Sequence, residues 1–293
     1  MRLLVTGITG FLGKNLINNL PSDCDLLAIA NSKSIKKYQG FNNIKYINCN
    51  FENFTEFSDD IIKFNPETVL NLAWKGIPNF SLKNSKYNIE KTMDFFDFIS
   101  EKTLCSKFIS IGSCAEYFNP DGETDENYPK NPKNDFTWAK ITLDKYLTKK
   151  CNEKNINYIN LKLFYVYGKY QRDDSLIPYL IKTYKNKTKP EIKNPFNSHD
   201  FIYIDDVISA IWGIINNDTS EGSYNIGSGK SISIYEVNEI IRSEMKISDK
   251  IKLEKQNSQI PNIDFYANNK KIKDEINWIP KTNIIEGIKN CIT

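Results

Sequence analysis

The segment that most limits how this chain can fold lies at its start. A short aliphatic run, Arg2-Leu3-Leu4-Val5-Thr6, passes into Gly7-Ile8-Thr9-Gly10-Phe11-Leu12-Gly13 and then into a stretch with helical spacing. Glycines three residues apart after a strand do three jobs. Gly7 permits a tight turn, Gly10 lets the backbone approach a pyrophosphate, and Gly13 lets helix and strand pack closely. The first helical turn then presents N–H groups and the positive end of the helix dipole to phosphates. A glycine turn that binds nothing is the alternative, but strand, loop and helix follow in the order a phosphate loop needs. The expected fold is therefore α/β, a Rossmann-type doubly wound parallel sheet. Gly7, Thr9, Gly10, Phe11, Leu12 and Gly13 should surround a dinucleotide.

The rest of the chain keeps that rhythm. Apolar, β-branched runs at 2–6, 26–30, 44–49, 68–72, 107–111 and 158–163 alternate with amphipathic segments at 12–20, 85–102 and 136–152. Strands alternating with helical patterns imply parallel pairing with crossover helices. Beyond Gly168 the pattern loosens, with helical spacing at 175–185 and 207–216 and a short strand at 201–204. Two domains follow from this: residues 1–167 for the dinucleotide, and residues 168–293 as a smaller, mainly substrate-binding lobe whose later segments are free to cross back.

Composition removes several other functions. With 40% hydrophobic and 13% aromatic residues among 293, the chain has material for a true core. Its 39 basic side chains are nearly balanced by 36 acidic ones, and no basic stripe marks a nucleic-acid partner. Six cysteines without a C-x-x-C pair and a single histidine give no basis for a metal site. Irregular cysteine spacing in a chain this long favours reduced thiols. The opening has no basic-apolar-small leader layout, and no apolar run approaches the ~20 residues that span a bilayer. We read a soluble cytoplasmic protein with no membrane partner.

The second strand bears on which dinucleotide is used. An acid at its end would hold the adenine ribose hydroxyls, whereas a cation suits a 2′-phosphate. The chain there reads Ala30-Asn31-Ser32-Lys33, with Lys36 and Lys37 close behind and no acid. Asn31, Ser32 and Lys33 therefore point to NADP, with NAD the alternative.

Further motifs follow in a fixed order: Asn71-Leu72-Ala73-Trp74, Asn88-Ile89-Glu90-Lys91-Thr92, Ile111-Gly112-Ser113 with Tyr117 four residues on, Leu163-Phe164-Tyr165-Val166-Tyr167-Gly168, His199-Asp200-Phe201-Ile202-Tyr203-Ile204-Asp205-Asp206, Tyr224-Asn225-Ile226-Gly227 and Trp278-Ile279-Pro280. In this order they resemble the extended short-chain dehydrogenase/reductases, in particular the nucleotide-sugar epimerases, dehydratases and 4-ketoreductases. The resemblance covers nearly the whole chain. It implies a cofactor site that also includes Asn50, Phe51, Leu72, Ala73, Trp74, Lys140, Phe164 and Val166. It implies a nucleotide-diphosphate sugar held by Ser113, Cys114, Glu116, Tyr165, Ser175, Leu176, Tyr179, Glu191 and His199, and a homodimer formed through two long helices. Two positions depart from the pattern, with Tyr165 in place of asparagine and His199 in place of arginine. His199 reads either as a plain loop histidine or as a diphosphate ligand, and Ser113 either as a helix cap or as the substrate hydroxyl.

The family reaction depends on a tyrosine and a lysine one helical turn apart. The lysine holds the nicotinamide ribose and lowers the phenol pKa, and the phenol exchanges a proton with the sugar oxygen. In the matching register the lysine is Lys140, but the tyrosine position is Phe136. A literal Y-x-x-x-K occurs at Tyr146 and Lys150, roughly 15 Å further along the helix, and Tyr146 reads as a packing residue. The catalytic set is thus Ser113, Phe136 and Lys140. We read it as a tyrosine-to-phenylalanine form of otherwise complete machinery, with natural, altered chemistry left open. The acid pair of the related dehydratases is replaced by Cys114 and Ala115, and the ring acid of the 3,5-epimerising relatives by Ser175. What remains is NADP-dependent reduction of a nucleotide-linked 4-keto (deoxy)sugar. The alternatives are an NAD-retaining 4-epimerase and a cofactor-binding module that has lost catalysis.

Overall fold

Parallel strands need long crossovers, and helices that supply them cover both faces of the sheet. The computed structural model describes residues 1–30, 44–248 and 262–293. In chain order its elements begin β1 (Arg2–Thr6), α1 (Phe11–Ile17), β2 (Asp25–Ala30), β3 (Ile44–Asn48), α2 (Ser58–Phe64), β4 (Thr68–Asn71), α3 (Leu82–Lys102) and β5 (Lys107–Ser113). There follow β6 (Gly122–Thr124), α4 (Asp135–Lys154), β7 (Asn157–Leu163), β8 (Tyr165–Tyr167), α5 (Leu176–Lys185), β9 (Ser198–His199), β10 (Phe201–Tyr203) and α6 (Ile204–Asn216). The last are β11 (Gly222–Ile226), β12 (Ile232–Ser233), α7 (Ile234–Glu244), β13 (Asp264–Ala267), α8 (Lys270–Ile276) and α9 (Ile284–Ile292).

β1 pairs in parallel with β2 and β4, β2 with β3, and β4 with β5. The seven-stranded order is β11-β7-β5-β4-β1-β2-β3. Strand order therefore reverses at β1, and in a doubly wound sheet that reversal opens a crevice at the carboxyl ends of β1 and β4. This is the α/β architecture that the glycine loop implies. Leu3, Leu4 and Val5 are all fully buried because helices cover both faces of β1. On α3 the buried Asn88, Thr92, Phe95, Phe96 and Ile99 recur at helical spacing. Phe96 stacks edge-on to Phe108 at 5.2 Å, and Tyr146 packs against the same cluster. The Tyr146 hydroxyl donates to Asp97 at 2.7 Å, which makes it a tie between α4 and α3.

The chain divides into two units. Residues 1–118, 129–162 and 217–224 form the first, and residues 119–128, 163–216 and 225–293 the second. The crossing expected at 167–168 falls after Lys162 in this division, and 217–224 returns to supply most of edge strand β11. That return depends on backbone pairing, which composition does not reveal. In the second unit β8 and β10 pair in parallel, while β12, β9, β13 and β6 form a small sheet. Two carboxylates tie its backbone together. Asp200 accepts the N–H groups of Ser228 at 2.6 Å, Gly229 at 3.0 Å and Ala267 at 3.0 Å. Asp206 accepts those of Lys281 and Thr282, each at 2.9 Å. Among the described residues, no helix is long and apolar enough to cross a membrane, and no group of three or more metal-ligating side chains converges.

Candidate active site

The first unit builds its groove from backbone. Gly7 has φ +70°, and a Cβ there would lie 2.7 Å from the Ala73 nitrogen, so only glycine lets the turn after β1 rest on the end of β4. A Cβ at Gly13 would overlap the backbone of Ile8. Thr6 joins the two strand ends: its hydroxyl donates to Asn71 Oδ1 at 2.5 Å and accepts the Ala73 N–H at 3.1 Å.

Beside this junction lies a groove of about 490 Å³, a size suited to a cofactor. Of the residues the sequence assigns to the cofactor, Gly7, Thr9, Gly10, Asn50, Phe51, Leu72, Ala73 and Trp74 line it. Phe11 opens α1, Gly13 is buried within that helix, and Leu12 faces a neighbouring cavity of about 110 Å³. Asn31, Ser32 and Lys33 lie outside the described residues. Phe164 and Val166 belong to the second unit. The sequence reading missed Ile29, Ala30, Tyr87 and Asn88 as lining residues. Asn88 clamps the loop after β4, accepting the Lys75 N–H at 2.8 Å and donating to the Lys75 carbonyl at 2.9 Å. Its place in the Asn88–Thr92 pattern was the available signal. The glycine turn, the open groove and its apolar floor fit a nicotinamide dinucleotide.

Helix α4 carries Phe136 and Lys140, the pair expected to be catalytic. Asn134 and Thr137 cap it reciprocally: Asn134 Oδ1 accepts the Thr137 N–H at 2.9 Å, and Thr137 Oγ1 accepts the Asn134 N–H at 3.1 Å. Phe136 therefore lies in the capped first turn. Its ring packs on Phe80 at 4.6 Å and edge-on to Trp74 at 5.6 Å. Lys140, one turn on, donates to the Ile111 carbonyl at 2.6 Å and lies 3.6 Å from the centroid of the Trp74 ring. Burial lowers its pKa to about 7, Glu116 opposes that shift, and Lys162 adds to it. Lys140 is thus anchored two residues before Ser113 on β5.

Ser113 takes the capping role left open by the sequence. Its Oγ accepts the Ala115 N–H at 3.2 Å, capping the turn Cys114–Glu116. With a lone pair engaged in that way, the hydroxyl proton stays available to a substrate oxygen. The next two assigned side chains, Cys114 and Glu116, are buried, and Glu116 is fully buried and faces inward. Glu116 Oε1 accepts the Ser113 N–H at 2.8 Å, and Oε2 pairs with Lys162 Nζ at 2.5 Å. A carboxylate held by a buried ammonium has no face left for a sugar.

In the second unit, the structure joins two pairs of expected substrate residues. Tyr179 accepts the Glu191 N–H at 2.9 Å, beside Ser175 and Leu176 at the start of α5. Tyr165 stacks on His199 at 4.1 Å. His199 is neither a surface loop residue nor a cation. It is buried, and burial lowers its pKa to about 4 against the weaker pull of Asp264, so it is uncharged near neutral pH.

Residues 3–227 match the model of the NAD dependent epimerase/dehydratase family. The chain belongs to this family. Among curated relatives, it is 33% identical to the CDP-abequose synthase of Salmonella muenchen over 141 residues, covering 47% of this chain and 48% of that protein. It is 26% identical to the dTDP-4-dehydro-6-deoxyglucose reductase of Escherichia coli, covering 99% of this chain and 96% of that one. Among solved structures, it resembles a tyrosine-to-phenylalanine mutant of the UDP-glucuronic acid 4-epimerase of Bacillus cereus, in complex with UDP-4-deoxy-4-fluoro-glucuronic acid and NAD. That match has a TM-score of 0.85 at 20% identity, covering 100% of this chain and 98% of that one. It shows the shared fold.

Proposed function

We propose that this family member reduces a nucleotide-linked 4-keto (deoxy)sugar to the 4-hydroxy sugar with NADPH, and that its Phe136 form lacks only the proton donor. The observation that supports this reading is the α4 turn, where Lys140 Nζ lies 5.8 Å from the centroid of the Phe136 ring. The residues before and after add support. Cys114 and Ala115 offer no carboxyl pair for water elimination. Two curated relatives carry the names dTDP-4-dehydro-6-deoxyglucose reductase and CDP-abequose synthase.

When bound in the groove, the nicotinamide supplies the hydride. Gly7, Gly10, Asn50, Phe51 and Trp74 would hold the cofactor, and Lys140 its ribose. The Ser113 hydroxyl would donate to the keto oxygen and polarise it. In the second unit Tyr165, His199, Ser175, Leu176, Tyr179 and Glu191 would hold the nucleotide-diphosphate part. His199 would act there as a neutral hydrogen-bond partner, since it carries no charge for the phosphates. The same reading makes the protein a homodimer through α3 and α4.

The test restores the hydroxyl. Phe136→Tyr should raise turnover of a 4-keto nucleotide sugar by roughly 10²–10⁴-fold, with substrate affinity little changed. If the Phe136 form already reduces substrate rapidly and the tyrosine adds nothing, the donor is another group. If the protein carries NAD through purification and interconverts 4-hydroxy epimers without added nicotinamide, it is a 4-epimerase. Titration with both cofactors checks the assignment drawn from Asn31-Ser32-Lys33, for which NADPH should bind more tightly than NADH.

A further inference from the structure

Beneath Ser113 and Lys140 lies an ionic cluster that the reaction itself does not use. Lys162, on β7, is fully buried. Its ammonium reaches Glu116 Oε2 at 2.5 Å and Asp144 Oδ2 at 3.0 Å. Glu116 is the last residue of the serine turn, and its second oxygen accepts the Ser113 N–H at 2.8 Å. Asp144 lies one helical turn beyond Lys140 on α4. Its other oxygen accepts from Asn160 at 2.6 Å and from the Tyr158 hydroxyl at 3.3 Å. Lys130 approaches the same carboxylate at 3.7 Å. β5 lies directly on the cluster: a Cβ at Gly112 would come within 2.7 Å of Lys162 Cδ and 2.9 Å of Glu116 Oε1.

We propose that Lys162 is a positioning residue that holds the serine turn and the lysine helix at one fixed separation, through Glu116 to the Ser113 backbone and through Asp144 to the turn after Lys140. Stability alone does not call for this arrangement. A buried ion pair gains little over apolar side chains of similar volume, because desolvation consumes most of the attraction. What the charges add is direction. Two carboxylates on different elements must converge on one ammonium, and each carboxylate sits within a turn of a group expected to touch substrate or cofactor. A displacement near 1 Å between such groups is enough to cost about a hundredfold in rate. This inference rests on the proposed roles of Ser113 and Lys140, so its test includes a measurement that needs no substrate.

The variant to make is the charge-balanced pair Lys162→Met with Glu116→Gln, since Asp144 keeps Lys130 as a counter-charge. The pair also removes two opposing influences on Lys140 together, so a change in that lysine's titration reports movement of its ammonium. Competitive acetylation of Lys140 with acetic anhydride across a pH series, read by mass spectrometry, gives the midpoint. It should rise by about one unit from its starting value near 7 as the turn relaxes toward water. In the Phe136→Tyr background, kcat for 4-keto sugar reduction should fall about a hundredfold while KM changes much less. Lys162→Arg, which keeps a cation for both carboxylates, should recover most of that loss. A folded pair variant with an unchanged Lys140 midpoint and unchanged kcat would overturn the proposal. If the parent reduces no keto sugar, the acetylation midpoint still decides it. Should the pair variant fail to fold, Glu116→Gln alone serves. Its Ser113 amide, which loses a charged acceptor, should exchange with solvent about tenfold faster than in the parent, and an unchanged exchange rate would again overturn the proposal.

Discussion

The molecule buries polar groups in two places and treats them in opposite ways. In the first unit, Lys162, Glu116 and Asp144 are arranged as an ionised cluster with oxygens and ammonium in direct contact. Burial pushes the Asp144 carboxyl up, yet Lys162, Asn160 and Lys130 together bring it below the usual carboxylate range. In the second unit, His199 stacks on the Tyr165 ring at 4.1 Å and meets Phe201 edge-on at 6.1 Å. Its Nδ1 makes no hydrogen bond, and burial takes its pKa down to about 4. The difference is the distance to a counter-charge. Where carboxylates reach the ammonium, attraction and hydrogen bonds offset desolvation; where the neighbours are rings, the side chain sheds its proton. The first arrangement fixes geometry, and the second supplies a flat, neutral surface.

The largest expected effect comes from breaking the ionised cluster on one side only. Lys162→Met leaves the buried Glu116 carboxylate facing an apolar chain without its ammonium and should cost about 3–5 kcal/mol, measured by urea unfolding. A cost below about 1 kcal/mol would mean that the cluster is wet and behaves like a surface pair, and the contrast between the units would collapse.

A smaller effect is expected from the opposite unit. His199→Phe keeps a ring against Tyr165 and Phe201 and removes an unpaired nitrogen, so stability should change by less than about 1.5 kcal/mol. A loss matching that of Lys162→Met would show that His199 has a strong polar partner, and the neutral-platform description would fail.

The smallest and sharpest check is titration. The chain has one histidine, so its imidazole proton resonances are unambiguous in an NMR pH series. The midpoint should lie at about 4 rather than at the ordinary 6.5. The sign follows from linkage. With the folded pKa depressed, the unfolded chain binds the proton more readily, so stability is undiminished above pH 6.5 and declines as pH falls toward 4. His199→Phe should flatten that part of the acid limb. A midpoint near 6.5 would place the ring in water or beside an anion.

Much of the fold and part of the candidate site are legible in the sequence. Gly7, Gly10 and Gly13 announce their purpose because a positive φ and a close backbone approach are local demands that only glycine meets. Phe136 and Lys140 could be aligned because one helical turn is also local. Glu116 shows where that legibility stops. Three residues from Ser113 it reads as a substrate contact, and only the fold turns it toward Lys162, 46 positions away in sequence. A signal was available in β7 itself, since a lysine inside the run Asn157-Tyr158-Ile159-Asn160-Leu161-Lys162-Leu163 has to find a partner if the strand is buried.

By itself, then, the sequence determined the glycine loop after β1, the parallel α/β plan, the family, and a phenylalanine one helical turn before Lys140. Each of these depends on residue type and spacing along a single strand, turn or helix. Tertiary structure alone decided which buried polar groups find partners. It made Glu116 a support and Lys162 its anchor, and it made His199 a neutral ring, because the protonation state of a buried group depends on what lies within a few ångströms in space, not on its neighbours along the chain.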